Sequence, residues 1–349
     1  RDLVRSRGLG DVYKRQKLNK TLMTNQLLFV IILALSVVFL NGMRDSSAIV
    51  ATMISSRAFH PRTALGMTAV AEFIGPFLFG VTVARTIGSD IVDSQSLTLD
   101  AIIAGLLGAL VWNLITWFFG IPSSSSHALI GGLTGAVLIS AGVDAIKFKG
   151  FYKVLIALFA SPIIGFVIGF IALRLIYFLA QNASPRINSL FKRGQFFTTT
   201  ALALSYGAND GQKMIGVITL CLMVGGQLNK FDIPIWVTFY SALAMAFGAL
   251  LGGWRLIRTL GGKFYKVRPV HSFAAQMTSA TVILTASLIG LPVSTTQIVS
   301  SSIIGVGSSE RLGKVRWSVA QDILMTWLVT IPASALFSAG IYWLITLLK

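Results

Sequence analysis

The chain has 349 residues, of which 54% are hydrophobic and only 12% charged, with a mean hydropathy of +0.78. A soluble domain carries about 25% charged residues, so this composition excludes an ordinary soluble enzyme and indicates an integral membrane protein. The net charge of +17 reads as membrane topology rather than nucleic-acid binding, because the basic residues lie between apolar segments; the single cysteine, Cys221, excludes an internal disulfide and a thiolate metal cluster and is read as a small core residue.

In chain order, residues 1–22 carry seven Lys or Arg and are read as a non-native or disordered segment, with a natural start at Met23. Apolar runs follow at 25–43, 63–84, 101–119, 127–143 and 154–180. After a polar linker at 181–195, five more lie at 196–226, 234–254, 272–290, 296–307 and 319–348. Uniform runs of about 20 residues predict helices, not the alternating strands of a barrel. Gly and polar residues interrupt the segments around Asp45 and Asp210, which predicts discontinuous helices lining a cavity. The short segments flanking Pro122 and Pro292 predict hairpins of re-entrant type.

The two halves, 23–180 and 196–349, repeat each other. Gly42-Met-Arg-Asp45 matches Gly207-Ala-Asn-Asp210, and Gly120-Ile-Pro-Ser-Ser-Ser-Ser-His127 matches Gly290-Leu-Pro-Val-Ser-Thr-Thr-Gln297. Arg85-Thr86 matches Arg258-Thr259, and Pro162 matches Pro332. Loop 89–100 holds Asp90, Asp93 and Asp100 without a base, while its counterpart 262–271 holds Lys263, Lys266 and Arg268 without an acid. The positive-inside rule puts these loops on opposite sides, which predicts an inverted repeat with both termini outside. Arg186, Lys192 and Arg193, and Arg311, Lys314 and Arg316, then fall inside. Lys147, Lys149 and Lys153, with Lys17 and Lys20, fall outside against the rule.

A carboxylate at membrane depth is expensive and marks a functional site; paired interrupted segments in two halves point to a midplane transport site. Each hairpin turn opens a helix whose free N–H groups and partial positive charge suit an oxyanion. Ser123, Ser124, Ser125 and Ser126 in one, and Ser294, Thr295 and Thr296 in the other, add hydroxyl donors. The bland alternative is that these hydroxyls glue helices or bond back to carbonyls. Ionised Asp45 and Asp210 only accept hydrogen bonds, so they meet a cation or the protons of a hydrogen phosphate. Ser46, Ser47, Asn209, Gln212 and Gln297 add neutral oxygens for a cation such as sodium. Glu72, His127, Arg44 and Lys213 are candidate coupling residues. Against this, Arg44 or Lys213 pairs structurally with a neighbouring Asp, and His127 bonds a carbonyl. Arg85 and Arg258 read as interfacial anchors.

The stretches Ser205-Tyr-Gly-Ala-Asn-Asp-Gly-Gln-Lys213, Pro292-Val-Ser-Thr-Thr296 with Gly305-Val-Gly-Ser308, and Pro122 to Gly132 resemble the inorganic phosphate transporter (PiT) family over about residues 25–345. The resemblance implies orthophosphate uptake coupled to sodium or protons, an inverted repeat and often a homodimer. It also implies that Asp45, Asp210, Asn209 and the hairpin hydroxyls form the phosphate and cation sites. Four positions depart from the family's pattern: Arg44 where His or Asn is usual, Ala48 for Asn, Gln276 for Glu and Gln297 for His. Two of these changes, Ala48 and Gln276, remove oxygens a cation would use.

The expectation is an all-α polytopic membrane protein built as an inverted-topology repeat of two five-segment halves. It is a secondary transporter that imports phosphate by alternating access, in a prokaryotic inner membrane, with no cofactor beyond sodium or a proton and no enzymatic activity. A sulfate permease is the first rival; sulfate offers Asp45 and Asp210 no proton. An intramembrane hydrolase using Ser126 and His127 is the second; adjacent residues rarely align hydroxyl and imidazole, and no nucleophile elbow occurs. A channel-like protein is disfavoured by the paired acids. The absence of a phosphate-binding G-x-x-x-x-G-K-[ST] loop argues against a nucleotide-driven pump.

Overall fold

The computed structural model describes residues 24–93, 96–184 and 186–349; the reading of residues 1–22 as non-native lies outside them. The first half contains α1 (Asp2–Ser55, described from Thr24), α2 (Pro61–Leu78), α3 (Thr82–Ser89), α4 (Leu99–Phe118), α5 (Ser125–Ala141) and α6 (Phe148–Leu179). The second contains α7 (Ile187–Tyr206), α8 (Gln212–Val224), α9 (Ile235–Leu251), α10 (Trp254–Arg258), α11 (Pro269–Leu288), α12 (Thr295–Glu310) and α13 (Trp317–Leu347). No strand is found among the described residues, beyond one isolated bridge between Val92 and Ile146. Lipid cannot hydrogen-bond a free backbone group, so each apolar run closes its own bonds as a helix. Among the described residues four helices are long and apolar enough to cross a membrane: Thr24–Ser55, Leu99–Phe118, Phe148–Leu179 and Trp317–Leu347. The bent pairs α2–α3 (75°) and α9–α10 (61°) raise this to as many as six.

The halves interlock. Helix α6 packs on α12 and α13 on α5; α1 packs on α9 and α7 on α2; α13 also meets α4, and α6 meets α11. Each contact recurs with the halves exchanged. The hairpin helices α5 and α12 are buried almost all round, sheathed by the long helices of the other half. Small residues make this possible, as in membrane helix pairs generally. A Cβ on Gly248 would overlap the Phe39 carbonyl, one on Gly305 the Phe166 carbonyl, and one on Gly135 the Ala335 carbonyl.

The hairpin turns are held the same way. Gly120 (φ 66°) and Gly290 (φ 71°) adopt left-handed backbone that a side chain would strain. Thr259 Oγ1 donates to the Gly120 carbonyl at 3.0 Å, and Thr86 Oγ1 to the Gly290 carbonyl at 2.8 Å. The repeated Arg-Thr pair thus latches each hairpin to the bent helix of the opposite half, while Arg85 and Arg258 stay exposed. Thr86→Val and Thr259→Val each strip a buried carbonyl of its donor. Each is expected to destabilise by about 1–3 kcal/mol, read as a lower Tm in detergent. An unchanged Tm in both would show that the latches carry nothing.

Three sequence expectations need correction. Helix α1 runs through Asp45 without a break, and Ser46 and Ser47 bond back to the Met43 carbonyl (3.2 and 3.1 Å) instead of opening the turn. At Asp210 the chain does not break either: Gly207–Gly211 form a widened π-helical turn between α7 and α8. The real breaks lie at residues 79–81 and 252–253, next to Gly80 (φ 75°) and Gly252 (φ 64°). Finally, the polar stretch 181–195 is only partly linker, since α7 starts at Ile187 and carries its polar turns beyond the apolar span.

Candidate functional site

Helix α1, the π turn after α7, and the N-termini of α5 and α12 converge in the protein interior. Gly207 allows the closest approach, since a Cβ there would overlap the Glu72 carbonyl and push α2 away from the Asp210 turn. A π turn of this kind is frequent at functional sites because the extra residue re-aims side chains.

Lys213 is the hub of the second half's contribution. Its ammonium forms an ion pair with Asp210, donates to Ser126 Oγ at 2.5 Å and to the Val293 carbonyl at 2.6 Å, and is 4% exposed. Thr295 Oγ1 donates to the other oxygen of Asp210. One lysine therefore ties its own Asp to both hairpins.

Arg44 is arranged differently. Its guanidinium donates to Asn113 Oδ1 and, at 3.0 and 2.7 Å, to the carbonyl and hydroxyl oxygens of Ser123. No ion pair joins it to Asp45, so the structural pairing considered from the sequence holds for Asp210 with Lys213 and not for Asp45 with Arg44. Arg44 is 5% exposed and hydrogen-bonds neutral oxygens, while Asp45 and Asp210 lie within electrostatic reach of its charge. Its counterpart Asn209 likewise reaches its own hairpin, donating to Ser287 Oγ (2.9 Å) and to the Leu291 carbonyl (3.1 Å).

The two hairpin tips touch. Ser294 Oγ donates to Ser124 Oγ at 2.7 Å, and Ser124 Oγ accepts the His127 N–H at 3.1 Å as the cap of α5. The His127 ring is folded back on the same hydroxyl (Nδ1 to Oγ, 2.7 Å) and packs edge-on against Phe159. Ser126 Oγ donates to the Val293 carbonyl at 3.1 Å, crossing to the other hairpin. Thr296 lies against the Asp45 carboxylate. Ser125 and Gln297 are buried with the rest. All these hydroxyls are buried, so the site is closed to both sides in this conformation.

Several buried oxygens have no donor: Asp45 Oδ2, both oxygens of Glu72, Asn209 Oδ1 and Gln297 Oε1. A buried polar atom without a partner is costly, and these are all acceptors, as a proton or a hard cation would require. Asp45 also lies within electrostatic reach of Asp210, Arg44 and Lys213, and Glu72 within reach of both aspartates. Among the described residues no group of three or more His, Cys, Asp or Glu forms a metal cluster.

Some expected cation ligands are used otherwise. The Gly253 N–H donates to Ser47 Oγ at 2.7 Å, and the Val83 N–H donates to Gln212 Oε1 at 3.0 Å. Each thus braces the bent helix pair of the opposite half, and Ser46 bonds only within α1. Gln276 bridges Thr198 (2.7 Å) and Thr52 (3.3 Å), so the position where a Glu was expected holds helices together.

Three residues at the site escaped the sequence reading. Tyr206 is fully buried beside Thr295, Asp45 and Asp210, but as an aromatic in an apolar run it reads as core. Asn113 and Thr116, which hold Arg44 and Ser123 (Thr116 Oγ1 to Ser123 Oγ, 2.7 Å), carried a usable signal: polar side chains in the otherwise apolar α4.

Comparison with known proteins places this arrangement. The phosphate transporter family matches residues 41–338. A Bacillus subtilis protein named "Probable low-affinity inorganic phosphate transporter" is 42% identical over 325 residues, covering 92% of this chain and 97% of that one. A Mycobacterium leprae protein of the same name is 39% identical over 92% of this chain and 78% of its own. A solved chain described as the sodium-dependent phosphate transporter superposes with a TM-score of 0.85 at 24% identity, over 93% of this chain and 100% of that one, and so shares the fold. With most of its length matched at this level, the chain belongs to the phosphate transporter family, a family of membrane transporters and not of enzymes.

Proposed function

We propose that this protein imports inorganic phosphate together with sodium or a proton, by alternating access between two inverted halves. One observation carries the reading: two helix N-termini, one from each half, meet tip to tip at Ser124 and Ser294 beside two buried cations, Arg44 and Lys213. Opening the Ser124–Ser294 contact would leave hydroxyls, free helix N–H groups and the Arg44 guanidinium facing a tetrahedral oxyanion. The donorless Asp45 Oδ2 and Glu72 carboxylate favour phosphate over sulfate, because hydrogen phosphate brings a proton and sulfate does not. The same oxygens are the place for the coupling ion. The fold neighbour's sodium dependence makes sodium the first ion to test.

The loops support the inverted orientation. Loop 90–93 packs on 145–147 (Asp93 N to Ala145 O, 3.0 Å; Lys147 N to Ile91 O, 2.9 Å), and Phe264 bonds Arg316 in the corresponding place (3.1 Å). The lysines at 147–153 thus share their side with Asp90, Asp93 and Asp144, whereas the other side gathers Lys263, Lys266, Arg311 and Arg316. The cations gathered on that second side support a cytoplasmic location for it, with the termini outside. A homodimer in a prokaryotic inner membrane completes the proposal.

The test is uptake of radiolabelled phosphate into proteoliposomes under a sodium gradient, a proton gradient or neither. Accumulation should follow one gradient and fall at least about tenfold in Asp45→Asn, which removes a charge made to meet a cation. Equilibration without any gradient would sink the coupling, and sulfate flux in place of phosphate flux would sink the substrate.

A further inference from the structure

Between α6 and α11 lies a groove of about 720 Å³ on the outer face of the helix bundle. Ile156, Ala160, Ile164 and Ile168 form one wall, and Val282 and Ala286 the other. Its floor includes Leu291 and Val293, the hairpin residues whose carbonyls hold Asn209 and Lys213. Ile156 and Ile289 are 67% and 62% exposed, so the groove is open on the outside of the protomer.

One end of the groove is not apolar. Lys149 and Lys153, one helical turn apart, stand there with Tyr152, all exposed. Lys147 is tied to the Ser89 carbonyl at 2.9 Å, but Lys149 and Lys153 have no hydrogen bond or ion pair among the described residues. These are lysines that the positive-inside rule does not explain. A pair of long basic side chains at the mouth of an apolar membrane groove matches one ligand shape: an anionic head on an acyl tail. From Lys149 to Ile168 the wall runs about 28 Å along the helix, longer than one leaflet of a hydrocarbon core about 30 Å thick.

We propose that this groove binds an anionic phospholipid, with the headgroup phosphate between Lys149 and Lys153 and an acyl chain lying between α6 and α11. The site is separate from the buried phosphate site, with which it shares only the hairpin backbone. A chain seated there packs against the turn that positions Lys213.

The test is native mass spectrometry of the full-length protein in detergent, titrated with phosphatidylglycerol or phosphatidylcholine of identical chains. The unmodified protein should retain phosphatidylglycerol about tenfold better. Lys149→Gln/Lys153→Gln should lose that preference while still retaining phosphatidylcholine. Ala160→Phe, which fills the groove, should lose both lipids, with its Tm confirming a folded protein. Equal retention of the two lipids by the unmodified protein would overturn the proposal, as would an undiminished preference in the double variant. Disulfide cross-linking of two copies through Ala160→Cys would overturn it in favour of a second copy seated in the groove.

Discussion

Lys213→Met should destabilise the protein by about 3–5 kcal/mol, the usual consequence of removing one partner of a buried ion pair, and should abolish phosphate uptake. The substitution leaves the Asp210 carboxylate 2% exposed, with a hydrogen bond from Thr295 but no ion-pair partner, and it removes the ammonium that donates to Ser126 and to the Val293 carbonyl. Both hairpins lose their bond to Lys213 at once, leaving only the direct contacts of Ser126 with Val293 and of Ser294 with Ser124 between them. The double variant Lys213→Met/Asp210→Asn separates structure from transport. A neutral amide can still bond Thr295, so Tm should recover most of the loss, while uptake stays absent because the second cation of the site is gone. A Lys213→Met protein as stable as the original would mean that the ion pair does not hold the hairpins. Recovery of uptake in the double variant would remove Lys213 from the phosphate site.

Gly248→Val should give little or no folded protein, a loss beyond about 4–5 kcal/mol. Helices α1 and α9 cross with Gly42 against the Met245 carbonyl and Gly248 against the Phe39 carbonyl, and a Cβ on either glycine would overlap backbone that cannot step aside. The crossing places Asp45, less than one turn after Gly42, opposite the second half. Forcing the helices apart therefore also displaces the site. Gly66→Ala is the control: a Cβ there meets nothing within 4 Å, and in a helix interior it should stabilise by about 0.5–1 kcal/mol. The comparison is read as the monodisperse fraction on size exclusion and as Tm. A well-folded Gly248→Val protein would show that the α1–α9 crossing is not fixed by these glycines.

The outline of the fold was legible in the sequence because apolar length is a local property. All ten predicted segments correspond to helices or bent helix pairs, and the two Pro/Ser/Thr turns are hairpins. The repeat was legible as well, since Thr86 and Thr259 occupy matching positions and make matching bonds. The breaks were not legible. Gly and Ser near Asp45 looked like an interruption, but serine hydroxyls can bond the preceding turn, so local composition does not decide between a break and a satisfied helix.

By itself, then, the sequence determined an all-helical membrane protein with a duplicated polar core at Asp45, Asp210 and the two hydroxyl-rich turns. A carboxylate within an apolar run is informative wherever it ends up, because lipid tolerates it only in a protein interior. Only the tertiary structure decided which of these groups act on one another. Asp210 is paired and Asp45 is not. Arg44 serves a hairpin instead of its neighbouring acid, Ser47 and Gln212 brace bent helices, and Tyr206 joins the site. These assignments depend on contacts between residues far apart in the chain, set by close helix crossings at glycines. The periodicity of a single segment carries no information about what stands across such a crossing.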